Sequence, residues 1–148
     1  MRKKGCGFEY EKEFRADIMR AYRSALDSAR FGEDKQSIMR RAINSPSARF
    51  WVSEYRAYHV ICDMYNGHIT DGMTPNNAEK YKEIYRRVRE REKLHPECNR
   101  LELVFYVVNQ PAPKFYLTEK SFYAIVCKTK RRWFEERKRK VLESLQQQ

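Results

Sequence analysis

A motif that occurs twice is the feature of this sequence that most restricts its fold. The stretch AINSPSARFWVSEYRAYHVIC occupies residues 42–62, and the stretch VVNQPAPKFYLTEKSFYAIVC occupies residues 107–127, 65 positions later. Six aligned pairs are identical, where chance would give about one. These pairs are Asn44/Asn109, Pro46/Pro111, Phe50/Phe115, Glu54/Glu119, Tyr58/Tyr123 and Cys62/Cys127. The repeat predicts an internal duplication, in which each half is one structural unit.

The spacing of apolar residues predicts helices in both halves. Apolar side chains recur three and four positions apart, which forms one apolar stripe on a helix. Residues with this spacing are Phe14, Ile18, Tyr22, Ala25 and Leu26 in the first half and Tyr81, Ile84, Tyr85 and Val88 in the second. Thr74 followed by Pro75 is a typical helix start. We therefore predict an all-α protein of about six helices, in two pseudo-repeated three-helix halves that share one core.

The length of 148 residues is suited to a single domain spanning residues 1–148. Within this domain the pseudo-repeat halves are predicted at about residues 8–70 and 74–134, followed by a basic C-terminal helical extension over 128–145. One segment is ambiguous, because residues 101–108 are so apolar and β-branched that they could form a strand. The symmetry of the two halves favours a helix there.

Much of the repeated motif is predicted to be structural. Ser53 and Thr118 stand at N-cap positions, and the glutamate that follows each of them lies at the positive end of the helix dipole. Val52 and Leu117, one position before the caps, are placed for a hydrophobic staple with the next turn. The matching chemistry of these positions therefore favours two equivalent helix starts.

The segment before each cap presents a second pattern. If it is extended, side chains alternate between its two faces, and Phe50 faces the core. Arg49 and Trp51 then share the opposite face, as do Lys114 and Tyr116 in the second half. A cation beside an aromatic ring is suited to phosphate contact and base stacking. The alternative is that the two rings cover the first helix and the cations lie over them.

The charge is strongly positive and unevenly distributed. The chain has 31 Lys and Arg against 20 Asp and Glu, a net charge of +11. Residues 1–73 contain 13 basic and 10 acidic groups, net +3, and residues 74–148 contain 18 and 10, net +8. This asymmetry favours a polyanionic partner, either DNA or RNA. The alternative is a solvated helical surface whose glutamates pair with cations three or four positions away.

The predicted function is therefore that of a non-enzymatic nucleic-acid-binding accessory protein, acting mainly through phosphate-backbone electrostatics. The basic stretch KTKRRWFEERKRK, residues 128–140, has the densest cluster of cations. The predicted contact residues are Arg49, Trp51, Arg86, Arg87, Lys114, Tyr116, Lys128, Lys130, Arg131, Arg132, Arg137 and Lys138.

The alternative function is that of a protein-binding adaptor or a small phage or assembly component. Phe134, Val141 and Leu145 recur at intervals of seven and four, which predicts an apolar stripe on the C-terminal helix. Such a stripe would contact a protein partner or mediate self-association. The basic surface would then meet an acidic partner.

Sequence motifs for catalysis, cofactors and metals are lacking. The five glycines form no phosphate-binding loop, and His95 with Cys98 gives only one pair of potential metal ligands. The four cysteines have no Cys-x-x-Cys spacing, which favours reduced thiols in a cytoplasm. The longest apolar run, LVFYVV, is far shorter than a membrane span. We expect a cytoplasmic protein with no catalytic, cofactor or metal site and no membrane partner.

The phrases SPSARFWVSE and NQPAPKFYLT resemble those of a family of small basic bacterial and bacteriophage-associated proteins. The resemblance covers the two repeated stretches, about a third of the chain. It implies a bacterial or mobile-element setting and carries no activity, cofactor or site assignment.

Overall fold

The computed structural model describes residues 10–68, 70 and 72–147. These residues form six α-helices and no strand, apart from one isolated β-bridge, so the predicted all-α architecture is confirmed. The helices are α1 (Glu11–Asp27), α2 (Lys35–Ile43), α3 (Glu54–Tyr65), α4 (Pro75–Leu94), α5 (Arg100–Val108) and α6 (Glu119–Gln146). The predicted start of the first half, at residues 8 and 9, lies outside the described residues.

The ambiguous segment 101–108 is helical and belongs to α5. Its start is fixed by a capping box, in which the Asn99 side chain accepts a hydrogen bond from the Glu102 backbone N at 2.9 Å. The Glu102 carboxylate in turn accepts from the Asn99 backbone N at 3.4 Å. Leu103 and the three valines of α5 are buried, and the helix packs on both α3 and α4. Capping and packing on two sides therefore outweigh the β-propensity of its valines.

The predicted caps of the third helix in each half are also confirmed. The Ser53 side chain accepts a hydrogen bond from the Arg56 backbone N at 3.3 Å. The Thr118 side chain accepts from the Ser121 backbone N at 3.1 Å. Each bond satisfies one of the N–H groups that a helix start leaves unpaired.

The buried apolar side chains form two clusters instead of the single core expected from the sequence. The first cluster lies among α1, α2 and α6, and the second lies among α3, α4 and α5. Across the described residues, no Cα atom of a helix in one group lies within 8 Å of a helix in the other. The third helix of each half therefore packs on the first two helices of the other half.

Two antiparallel segments carry the chain from one cluster to the other, and we call residues 44–53 and 109–118 the crossing segments. They meet at the β-bridge between Ser47 and Ala112, where the backbone N–H groups donate reciprocally at 3.0 and 3.1 Å. Further out, the Phe50 N–H donates to the Val108 carbonyl at 3.0 Å. The Phe115 N–H donates to the Ile43 carbonyl, also at 3.0 Å.

These bonds are related by the same offset of 65 positions as the repeated motif. Ser47 corresponds to Ala112 and Phe50 to Phe115, so exchanging the two halves converts each bond into another bond of the set. The carbonyls of Pro46 and Pro111, which correspond, each accept a hydrogen bond from an arginine of a first helix, Arg20 of α1 and Arg87 of α4, although these two donors are not equivalent positions of the repeat. A duplicated unit would produce this symmetry, and duplication remains the prediction from the sequence.

Cleavage between α3 and α4 tests the exchange of third helices. A protease site inserted between Asn66 and Gly67, in an exposed turn, should be cut without separating the two fragments. The fragments should co-elute in size-exclusion chromatography and melt as one unit, because each cluster takes helices from both. Each fragment purified alone should lack a cooperative thermal transition. Two independently folded fragments would contradict the exchange.

Candidate nucleic-acid interface

The aromatic residues of the repeated motif pack in both clusters and so link them. Phe50 and Tyr116 lie in the second cluster, where their rings stack with centroids 6.1 Å apart and planes 18° apart. Phe115 lies in the first cluster, and the partly buried Trp51 packs against the same cluster. Each crossing segment therefore inserts consecutive aromatic side chains into opposite clusters. The face that points away from one core points toward the other core, and not toward solvent.

Trp51 makes its contacts within the protein. Its ring lies between Tyr10 and Phe14, with centroids at 5.5 and 5.4 Å. Its Nε1 donates a hydrogen bond to the Asp17 carboxylate at 2.9 Å, and that carboxylate also accepts from the Ala48 backbone N at 2.8 Å. Asp17 is only 6% exposed, and its other carboxylate oxygen pairs with Arg20 at 2.7 Å, so each of its two oxygens has partners within the protein. Trp51 covers α1, which is the alternative that the sequence left open.

Tyr116 is buried, which corrects its prediction as a base-stacking group. Its side chain is only 6% exposed, and burial raises the pKa of its phenol to about 12. The Tyr116 backbone has a φ of 57°, in the left-handed region that residues other than glycine seldom adopt. This conformation interrupts the strict alternation of an extended segment. The ring cannot meet a nucleobase in this fold.

The two cations of the crossing segments are also engaged within the protein. Arg49 donates to the Phe50 carbonyl at 3.1 Å and to the Val52 carbonyl at 2.8 Å. Its guanidinium lies 5.4 Å from the Trp51 ring centroid. Lys114 pairs with Glu79 of α4, with Nζ 2.6 Å from the carboxylate oxygen. These side chains hold the crossing segments in place.

The predicted cations of α4 are neutralised by glutamates of the same helix. Arg86 contacts Glu90 at 2.6 Å and also pairs with Glu83. Arg87 pairs with Glu83 at 3.0 Å, donates to the Pro111 carbonyl at 2.9 Å and lies over the Phe50 ring. Hydrogen bonds from Arg86, and then from Arg87, keep the pKa of the Glu83 carboxyl below its usual value. A phosphate would have to displace these carboxylates.

The predicted cations of α6, unlike those of α4, have no carboxylate partners among the described residues. All six are exposed, and none forms an ion pair with a carboxylate of the residues that the structure describes. They are Lys128, Lys130, Arg131, Arg132, Arg137 and Lys138. The last buried residue of α6 is Thr129, and the helix continues to Gln146. About half of α6 therefore extends away from the first cluster.

These six cations do not share one face of α6. Lys128, Arg131 and Arg132 are three and four positions apart and lie on the side away from α1 and α2, together with the exposed Lys120. Lys130 lies on another side, with Nζ 4.8 Å from the centroid of the Tyr22 ring in α1. We call Lys120, Lys128, Arg131 and Arg132 the outer face of α6.

Arg23 of α1 is a cation near α6 that the sequence did not single out. Its guanidinium lies 5.2 Å from the centroid of the Trp133 ring. The two residues are far apart along the chain, and no local pattern indicates that α1 packs on α6. Only the tertiary structure brings this cation to the helix.

Comparison of the chain with protein-family models, with curated proteins and with solved structures finds no match. The bacterial or mobile-element setting therefore remains a prediction from the resemblance noted above. None of the described helices has the combination of length and apolar character needed to cross a membrane.

Replacement of Trp51 by Phe tests its structural role. Trp51→Phe removes the N–H that donates to the buried Asp17 carboxylate, so the free energy of unfolding should fall by about 1–3 kcal/mol. Trp133→Phe is the matched control, because it makes the same change where the ring is 38% exposed. The control should lose less than about 1 kcal/mol. Equal losses in urea denaturation would contradict the role of the Trp51 hydrogen bond.

Proposed function

We propose that this protein is a non-enzymatic nucleic-acid-binding accessory protein that contacts phosphate groups through the outer face of α6. The observation that carries the proposal is the contrast between two sets of cations. Arg86 and Arg87 of α4 and Arg49 and Lys114 of the crossing segments are bound to carboxylates or carbonyls. The six predicted cations of α6 are exposed without such partners among the described residues. A cation without a carboxylate partner can bind a phosphate and release its counterion without first breaking an ion pair within the protein.

The shape of α6 supports the same proposal. A helix of 28 residues is about 42 Å long at roughly 1.5 Å per residue. The outer face lies in the first half of this helix, on the side away from α1 and α2, and the second half extends beyond the body. A long polyanion can therefore follow the helix from the outer face onward. Glu119 occupies the first turn, which makes the helix N-terminus unsuited to phosphate and directs binding to the cations further along.

The proposed binding is independent of base sequence. Trp51 and Tyr116, the two aromatic residues that the sequence suggested for base stacking, pack in the two clusters instead. Trp51 donates a hydrogen bond to Asp17, and Tyr116 is buried. Phosphate contacts fix the position of a nucleic acid but do not distinguish bases. We therefore expect similar affinity for duplexes of different sequence at the same ionic strength.

Neutralisation of the outer face tests the proposal. The variant Lys128→Gln/Arg131→Gln/Arg132→Gln should bind a fluorescent DNA or RNA duplex at least tenfold more weakly at low salt. For DNA, the slope of log affinity against log salt should become shallower by about 0.9 for each phosphate that the variant no longer neutralises. Fluorescence anisotropy across a salt series measures both quantities.

The control variant is Lys82→Gln/Arg86→Gln/Lys93→Gln, which removes the same charge from exposed positions of α4. It should lose less than threefold in affinity and keep the slope of the unmodified protein. An equal loss in the two variants would indicate a response to net charge alone. Negligible binding of the unmodified protein at low salt would remove the proposal.

A further inference from the structure

An apolar stripe runs along the protruding part of α6. Phe134, Val141 and Leu145 are 66%, 53% and 59% exposed, and they are spaced seven and four positions apart. Lys138 occupies the remaining position of a seam with intervals of four, three and four, which is the spacing of contacts between paired helices. The prediction that α6 continues beyond the repeated unit and exposes this stripe is confirmed.

The charges beside the stripe are all positive around Phe134. On a helix, the side-chain neighbours of a residue are those three and four positions away. For Phe134 these neighbours are Lys130, Arg131, Arg137 and Lys138. Every one is a cation, and every one is exposed.

The carboxylates of this part of α6 lie elsewhere around the helix. Glu135 and Glu136 are each followed by a cation four positions later, at Arg139 and Lys140, an arrangement that favours an isolated helix. Glu143 lies seven positions after Glu136, on the same side. Glu135 is four positions after Arg131 and three before Lys138, but none of these residues forms an ion pair among the described residues. The stripe therefore combines apolar contact area with cations that form no ion pair.

These features decide what can cover the stripe. In a parallel pair, a second copy of α6 would bring the cations around Phe134 against the same cations of its partner, which is unfavourable at close range. A helix that lies in a lipid surface has a long, broad apolar face. Here the six residues 135–140, between Phe134 and Val141, are all charged, and Leu142 adds only one exposed apolar side chain beside the stripe. A nucleic acid would satisfy the cations and leave Val141 and Leu145 in water.

We propose that the stripe of Phe134, Val141 and Leu145 binds an acidic amphipathic helix of a partner protein. The apolar residues of that helix would pack along the seam, and its Asp and Glu residues at the flanking positions would pair with Lys130, Arg131 and Arg137. This inference goes beyond nucleic-acid binding, because Val141 and Leu145 lie outside the outer face. Arg131 belongs to both surfaces, so the two ligands should compete.

Synthetic peptides of four heptads provide the probe. The first has Leu at the a and d positions and Glu at e and g, and it should bind the full-length protein in a fluorescence anisotropy titration. A second peptide with Lys at e and g, and a third with Glu at e and g but Ser at a and d, should each bind at least tenfold more weakly. Equal affinity for the first and third peptides would overturn the proposal, because charge alone would then explain binding.

Variants locate the binding surface. The Val141→Ser/Leu145→Ser variant should bind the acidic Leu peptide at least tenfold more weakly, and its affinity for the duplex should stay within twofold of that of the unmodified protein. The Arg137→Glu/Lys138→Glu variant should no longer bind the acidic Leu peptide and should instead bind the Lys peptide. Loss of folding cannot produce this reversal. Both variants change exposed residues only, and their melting temperatures should match that of the unmodified protein.

Three results would overturn the proposal. The first is unchanged acidic-peptide affinity in the Val141→Ser/Leu145→Ser variant. The second is a dimer in sedimentation that this variant abolishes, which would make a second copy the occupant. The third is tighter binding to vesicles of anionic lipid than to the acidic Leu peptide. Failure of duplex binding with peptide binding intact would instead remove only the nucleic-acid function.

Discussion

The antiparallel pairing of the two crossing segments is the interaction on which the rest of the structure depends. The helices of the two groups do not approach each other closely within the described residues, so the reciprocal bonds of Ser47 and Ala112 join the groups. The aromatic side chains beside this bridge enter both clusters, with Phe50 and Tyr116 in one and Phe115 in the other. Because each half completes the core of the other, neither cluster is whole without the pairing.

This arrangement explains why a motif with cations beside aromatic rings is structural here. In a segment that separates two cores, both faces are covered, and a cation near a ring lies over it within the protein. Arg49 caps the carbonyls of its own segment, and Arg87 joins α4 to the Pro111 carbonyl and the Phe50 ring. Among the predicted contact residues, the cations without such bonds are those of α6.

Helix α6 has two parts with different physical roles. Its first part supplies Phe122, Val126 and Thr129 to the first cluster, and its second part has no buried residue. Lys130 and Trp133, at the start of this second part, still contact α1. A helical stretch with few tertiary contacts has only marginal stability in water, and a ligand along it would add contacts. We propose the outer face for a polyanion and the apolar stripe for an amphipathic helix, and the two surfaces overlap at Arg131.

The sequence by itself determined the all-α class, the helix caps at Ser53 and Thr118 and the exposed stripe on α6, because periodicity and capping are local properties of the chain. It left α5 open between helix and strand, and the neighbouring helices decided for the helix. Only the tertiary structure decided which cluster each third helix joins and whether Trp51 and Tyr116 face solvent. Alternation in an extended segment shows that there are two faces, but not what lies against each. That depends on pairing between residues about 65 positions apart, together with the left-handed backbone of Tyr116, which no local pattern indicates.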